Sequence, residues 1–310
     1  MPLFSRTNAI QGVFSELIEN LQVKDVQVKE LYSYEKPFLV NCMPLYGVIF
    51  LFKYSDVDRT NKPLDGIFLS QLPEDQQTEI FFAQQVIQNA CGTQAVLNVL
   101  LNRDDVDLGP ELSSFKEFTS NFDPMLKGET MTNSSLIRTV HNSFTSPNML
   151  IDETRPPPQS SDNDGLYHFI GFIQKDGRIW ELDGLKPEPI AHELCTEEEF
   201  AEKLSFVIQR RMRHYKEGEL RFSLLGVMKD RRVICEEIGD VEGLQMELTE
   251  RERWGRENTL RRMDMTGLVH DMVKLLAKTT TAKEWIMITN SAASKGLQRQ
   301  ISQSANAFQN

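Results

Sequence analysis

The stretch Gln84 to Asn102, QQVIQNACGTQAVLNVLLN, constrains the fold more than any other. Its run from Ala95 to Leu101 is so apolar that a helix there must be buried on most of its surface, and the other elements have to be organised around it. Cys91 stands at the start of that helix. A helix N-terminus carries partial positive charge and unpaired N–H groups, which favour thiolate over thiol and can receive a developing oxyanion. Gly92, directly after the cysteine, leaves room for a substrate carbonyl. An ordinary small core residue is the alternative for a cysteine in such a place, and only partners elsewhere in the chain decide against it.

With 310 residues the chain has room for one substantial core and a smaller second unit. A net charge of -11 argues against a nucleic-acid or anionic-membrane surface and leans towards a basic partner, although solubility alone explains many acidic proteins. The four cysteines, Cys42, Cys91, Cys195 and Cys235, form no CxxC pair and no zinc-ligand spacing, so neither a metal nor a cofactor is expected. MPLFSRTNAI has no charged-then-apolar signal, and no apolar run approaches the roughly 20 residues that span a bilayer. The expected location is cytoplasmic and nuclear, with reduced thiols.

Gly12 to Val23 reads as an amphipathic first helix, and Val48 to Phe52 as a central strand buried on both faces. Short apolar pieces follow around Ile67 and Phe68 and at Ile80 to Phe82. PELSSFKEF from Pro110 and TNSSLIRTVHNSF from Thr132 read as helices beyond the cysteine helix. Thr145 to Gly165 is rich in proline, serine and aspartate and longer than loops usually run, which marks it as functional or disordered. A hairpin follows, His168 to Gln174 and Arg178 to Gly184 around Lys175-Asp176-Gly177, then a helix from Glu197 to Tyr215 and a strand from Phe222 to Met228. This alternation indicates a mixed α/β (α+β) fold over residues 1–228. From Lys229 the texture changes to dense mixed charge, read as one or two exposed helices broken at Gly239, Gly243 and Gly255. Leu268 to Lys278 is an amphipathic helix, Trp285 to Ile288 a short apolar patch, and SQSANAFQN a disordered end. Residues 229–310 have too little apolar sequence for a core of their own.

Thiol catalysis needs a base within hydrogen-bond reach and a third group that orients it. His141 and His214 lie in expected helices, His192 in a loop and His270 on the tail helix, all positions that suit surface or packing roles. His168 opens one hairpin strand and Asp183 closes the other. A two-residue turn at Asp176-Gly177 or a four-residue loop puts both on one face, opposed or diagonal, whereas a three-residue loop without a bulge separates them. Such a pair is as often structural as catalytic until it is joined to Cys91. Gln84, Gln85 and Gln88 all precede the cysteine as possible oxyanion donors, and spacing does not choose among them.

QVIQNACGTQA and LYHFIGFIQKDGRIWELDGL resemble the ubiquitin C-terminal hydrolases, cysteine peptidases with a papain-like catalytic arrangement. YGVIFLFK, FFAQQVIQNACGTQA, LIRTVHNSF, GRIWELDGL and EGELRF extend the resemblance, from about Val26 to Ile234, to the long, C-terminally extended, proteasome-associated branch. It implies that Gln85 stabilises the oxyanion, Cys91 is the nucleophile, His168 the general base and acid, and Asp183 the residue that orients His168. It also implies an α-β-α sandwich around an antiparallel sheet with a knotted backbone, formed by a catalytic domain at 1–228. Residues 145–165 become a crossover loop over the site, and 229–310 a helical extension for partner docking. The implied partners are ubiquitin, whose arginine-bearing tail suits an acidic surface, and the ubiquitin receptor of the proteasome regulatory particle, met through LVHDMVKLLAK. Two regions depart from the family pattern: the residues before Gly12 lack its Trp-Cys-Leu-Ile-Glu-Ser-Asp-Pro type of sequence, and the end is Ser/Gln/Asn-rich instead of lysine-rich. A ubiquitin-binding scaffold gated by a partner is the rival reading. An unrelated papain-like acyltransferase leaves the motifs away from the cysteine unexplained.

Overall fold

A computed structural model describes residues 10–32, 44–87, 89–144, 167–215 and 222–294. The loop at 145–165, the first nine residues, Gln88, Cys42 and the Ser/Gln/Asn-rich end lie outside the described residues.

Seven strands form one sheet: β1 Val26–Leu31, β2 Leu45–Lys53, β3 Ile67–Phe68, β4 Tyr167–Lys175, β5 Arg178–Leu182, β6 Ile190–Leu194 and β7 Phe222–Lys229. Their order is β1-β7-β2-β4-β5-β6-β3, and every neighbouring pair is antiparallel. The apolar run at 48–52 lies in β2, between β7 and β4. There both faces must be covered, which is why the strand reads as continuous instead of alternating.

Helices α1 Ile10–Asn20 and α2 Cys91–Leu100 cover one face, where Phe14, Ile18 and Leu97 meet Ile49, Leu51, Phe169 and Ile173. On the other face α6, Glu197–Met212, packs Phe200, Leu204 and Ile208 on Val48, Phe50, Ile170 and Phe172. The result is an α-β-α sandwich. All ten residues of α2 are buried, and its close seat depends on two strand glycines. A Cβ at Gly47 or Gly171 would stand 2.7 or 2.9 Å from a methyl group of Val99, so both strands must present bare backbone to the helix.

Between α2 and β4 lie α3 Gly109–Phe118, α4 Pro124–Asn133 and α5 Ser135–Ser143. The single helix expected over 132–144 is therefore two. The Asp123 side chain caps the first, and Ser134 leaves the helical region at φ -62°, ψ 123° and caps the second through the Ile137 N–H. Helix α7, Arg231–Ile238, ends at Gly239 in the left-handed conformation, with φ 72°. Beyond it, α8 runs unbroken from Val241 to Arg262 through Gly243 and Gly255, so only one of the three expected breaks exists. This helix is not free in solvent. Its Trp254 is buried against Gly12, where a Cβ would come within 2.7 Å of the indole, and Asn258 Nδ2 donates to Gly12 O at 3.1 Å. Residues 263–294 belong to a second unit, separate from the one that holds the sheet. It contains α9, Thr266–Thr279, whose Leu268, Val269, Met272, Val273, Leu275 and Leu276 are all exposed, and a further helical stretch at 282–294.

Candidate active site

Helix α2 and the turn that follows it present three amides on one stripe, Gln94, Asn98 and Asn102, at intervals of four residues. All three grip the extended segment before the cysteine. Asn102 accepts from the Phe81 N–H and donates to Phe81 O, both at 2.8 Å. Asn98 accepts from the Ala83 N–H at 3.0 Å and donates to Ala83 O at 3.3 Å, and Gln94 Nε2 donates to the same carbonyl. The spacing 94, 98, 102 was visible as a polar stripe inside an apolar helix. Its meaning, side chains replacing a missing strand partner for residues 81–83, was not. Asn98→Ala strands the buried Ala83 N–H, and we expect a loss of about 2–4 kcal/mol. Thermal unfolding should show it as a Tm lower by roughly 5–10 °C. Asn98→Asp keeps the acceptor and should lose less.

Cys91 is the first residue of α2 and is buried, and among the described residues no side chain caps that helix end, whose N-cap residue is Ala90. Its N–H groups are therefore available to an anion. Gly92 has a packing role beside the one expected of it. A Cβ there would stand 3.1 Å from the Phe14 ring, so this glycine also makes room for the core.

The hairpin closes with Asp176 and Gly177 both at positive φ, 47° and 75°, as a two-residue turn of the primed type requires. Lys175 pairs with Arg178 and Gly171 with Leu182, a register that puts His168 and Asp183 on one face, diagonal to each other. Asp183 Oδ1 accepts from His168 Nε2 at 2.7 Å and from the Leu185 N–H at 3.0 Å. This leaves Nδ1 as the ring nitrogen for the Cys91 side chain, which lies close enough to act on His168. Phe52 and Tyr54 bracket the imidazole edge-on, each with its centroid 5.8 Å away. Sequence reasoning missed this bracket, although residues 52 and 54 share a strand face by parity.

Burial opposes a charged His168, but the charge and hydrogen bond of Asp183, then the contact with Cys91, outweigh it and push its pKa up to about 9. Burial likewise opposes a charged Asp183. The His168 and Arg211 charges and the Leu185 N–H overcome that and hold the carboxyl below its usual range. At neutral pH the pair is thus imidazolium and carboxylate, buried and matched.

The three glutamines separate. Gln84 is committed to the scaffold: its N–H donates to Pro124 O at 2.8 Å and its Nε2 to Lys186 O at 3.0 Å. The Gln85 N–H donates to Gly184 O, next to Asp183, while its Nε2 turns to Ile87 O at 3.0 Å and its Oε1 is buried without a partner. Of the remaining histidines, His141 bonds to Thr93 and His192 lies between Glu181 and Asp65. Among the described residues no group of three or more His, Cys, Asp or Glu is arranged to hold a metal ion, and no helix is long and apolar enough to cross a membrane.

The family described as "Ubiquitin carboxyl-terminal hydrolase, family 1" matches residues 5–213. The chain belongs to this family. Ubiquitin carboxyl-terminal hydrolase 2 of Schizosaccharomyces pombe is 45% identical over 275 residues, which are 86% of this chain and 88% of that one. Ubiquitin carboxyl-terminal hydrolase ubh-4 of Caenorhabditis elegans is 36% identical over 288 residues, 86% of this chain and 85% of the other. The crystal structure of the Trichinella spiralis UCH37 catalytic domain bound to ubiquitin vinyl methyl ester is similar at a TM-score of 0.60 and 33% identity, covering 72% of this chain and 94% of that chain. The fold is thus that of a ubiquitin carboxyl-terminal hydrolase, and the chain is a cysteine-type deubiquitinase.

Proposed function

We propose that this hydrolase cleaves ester, peptide and isopeptide bonds at the C-terminal glycine of ubiquitin, with Cys91 as nucleophile. The observation that supports this most is the chain of contacts Cys91, His168, Asp183 at the uncapped start of α2. The Cys91 sulfur attacks the glycine carbonyl, and the carbonyl electrons move onto oxygen, where the N-terminal N–H groups of α2 receive them. His168, an imidazolium at neutral pH, gives its proton to the leaving amine or alcohol. The neutral ring then takes a proton from water, which attacks the thioester and frees the ubiquitin carboxylate. Asp183 holds the ring in one orientation throughout. The net charge of -11 suits the basic tail of ubiquitin. Release of a fluorophore from the ubiquitin C-terminus tests the reading, and a purified chain without turnover, alone and with its receptor partner, overturns it.

Gln85 is the oxyanion donor in this proposal. Its Nε2 is held only by an exposed contact to Ile87 O, whereas Gln84 Nε2 reaches across to Lys186 O. Gln85→Ala is expected to lower kcat by about 10²–10³-fold, and Gln84→Ala by less than about tenfold. A larger loss from Gln84 reverses the assignment.

The chain is further proposed to act in cytoplasm and nucleus in association with the ubiquitin receptor of the proteasome, through α9. The exposed apolar residues of α9, Leu268, Met272 and Leu275 among them, support this. A rate that rises when the receptor is added to the fluorophore assay, and no longer rises after Met272→Asp, is the expected result.

A further inference from the structure

Beneath the His168 and Asp183 pair lies a buried charged cluster that the proposed chemistry does not use. Arg211, on α6, is 2% exposed. Its Nη1 donates to the Glu181 carboxylate, its Nη2 reaches Asp58 Oδ1 at 3.4 Å, and its guanidinium lies 4.8 Å from the centroid of Phe52. Phe52 is one of the two rings that bracket His168. Tyr215 donates to Asp58 Oδ1 at 2.9 Å, and Lys186 Nζ to Asp58 O at 2.9 Å. Glu181 also meets His192 at 3.1 Å, and that ring faces Asp65 on its other side.

The arrangement raises an electrostatic problem. Glu181 and Asp183 are two residues apart on one face of the β5 edge of the hairpin, about 6.6 Å between Cα atoms at ordinary strand rise. Each is at most 1% exposed. Two buried negative charges so placed repel each other, and Asp58 adds a third. The groups that act on Asp183 are His168 from β4, Tyr54 just after β2 and Arg211 from α6, while Glu181 shares its strand face and Asp58, from the segment after β2, meets Arg211. Only His168 and Arg211 among them carry positive charge. His168 surrenders its proton during each turnover, and at that stage Arg211 is the cation left.

We propose that Arg211 is a positioning residue for the reaction: bonded to Glu181 and stacked on Phe52, it is the counter-cation that keeps Asp183 ionised beside Glu181, and through Asp183 it keeps His168 aligned. The role rests on the proposed functions of His168 and Asp183. Arg211 is sealed from solvent and touches no substrate, so its removal acts on kcat and leaves KM unchanged. The direction in which Arg211 shifts the Asp183 carboxyl agrees.

The test is the pH dependence of kcat/KM for fluorophore release by the full chain and its variants. In Arg211→Met the Glu181 charge keeps only its His192 contact and Asp183 loses its second cation, so Asp183 takes a proton more readily, the acid limb rises by about one to two pH units and the lost rate returns in alkali. Arg211→Lys keeps a cation and should stay close to the wild-type limb. In the R211M/E181Q double variant both members of the pair are gone, and the limb should return. Glu181→Gln alone, isosteric and with Arg211 in place, moves the limb down, and it keeps the test open if Arg211→Met does not fold. A uniform loss at every pH with the limb unmoved means that Arg211 only supports the fold and overturns the proposal, as does an unmoved limb in Glu181→Gln. A failure of the underlying chemistry looks different: the wild-type rate itself would not depend on Cys91.

Discussion

Cys91→Ala is expected to remove hydrolysis of ubiquitin C-terminal substrates almost completely, with kcat lower by about 10⁵–10⁶-fold, as when other nucleophiles of this kind are deleted. The remaining turnover comes from binding and from the N–H groups at the start of α2. The fold should hardly notice. A buried thiol replaced by a methyl costs about 1 kcal/mol, and the amides that brace α2 stay in place. Ubiquitin should still bind with its affinity little changed, since the sulfur acts after binding, and a titration of the variant with labelled ubiquitin measures this. Equal turnover in wild type and variant would mean that another residue carries the reaction. Loss of binding together with turnover would mean that Cys91 matters for structure.

The second large effect is expected from Asp183→Asn. This variant preserves the shape of the buried pair and deletes its charge, so kcat/KM should fall by about 10³–10⁴-fold through a ring held in the wrong tautomer. The pH behaviour separates this from damage to the fold. In the wild type the His168 pKa is raised from 6.5 to about 9. The stability that this contributes is complete below about 6.5 and is lost as pH rises through about 9. The carboxyl shift runs the other way: its contribution is present above the ordinary value of 3.8 and is lost as the medium becomes more acid. Without the carboxylate the His168 pKa falls, so the alkaline limb of kcat/KM should move to lower pH. Urea unfolding at pH 6 and at pH 9.5 should differ less in the variant than in the wild type. A parallel drop with both limbs in place contradicts the account.

Much of the site could be read from the sequence, for a definite reason. His168 and Asp183 sit in one hairpin, where strand alternation and a two-residue Asp-Gly turn decide which side chains share a face, and the pairing of Lys175 with Arg178 supplies that turn. Cys91 stood out because a polar stretch gives way to an apolar run within a few residues. The choice between Gln84 and Gln85 was not local. It depends on whether a backbone forty positions away, at Pro124, or the one after Asp183 receives each N–H. Arg211 was hidden for the same reason. It lies on a helix that reads as an ordinary amphipathic element, and its partners Asp58 and Glu181 come from distant segments. Gly243 misled in the opposite direction. Its N–H is capped by Asp240 at 2.9 Å, so the glycine begins a helix where local propensity suggested a break.

The amide stripe of α2 has a mechanical consequence. Residues 81–83 are bolted to the helix by side chains, so the thiol and the extended segment leading to Gln85 form one piece. His168 and Asp183 ride on the sheet, and the two pieces meet where Val99 packs on the bare backbones of Gly47 and Gly171. A side chain on either glycine would hold the helix off the sheet and the thiol away from its base, so two bare backbones set the reach between Cys91 and His168.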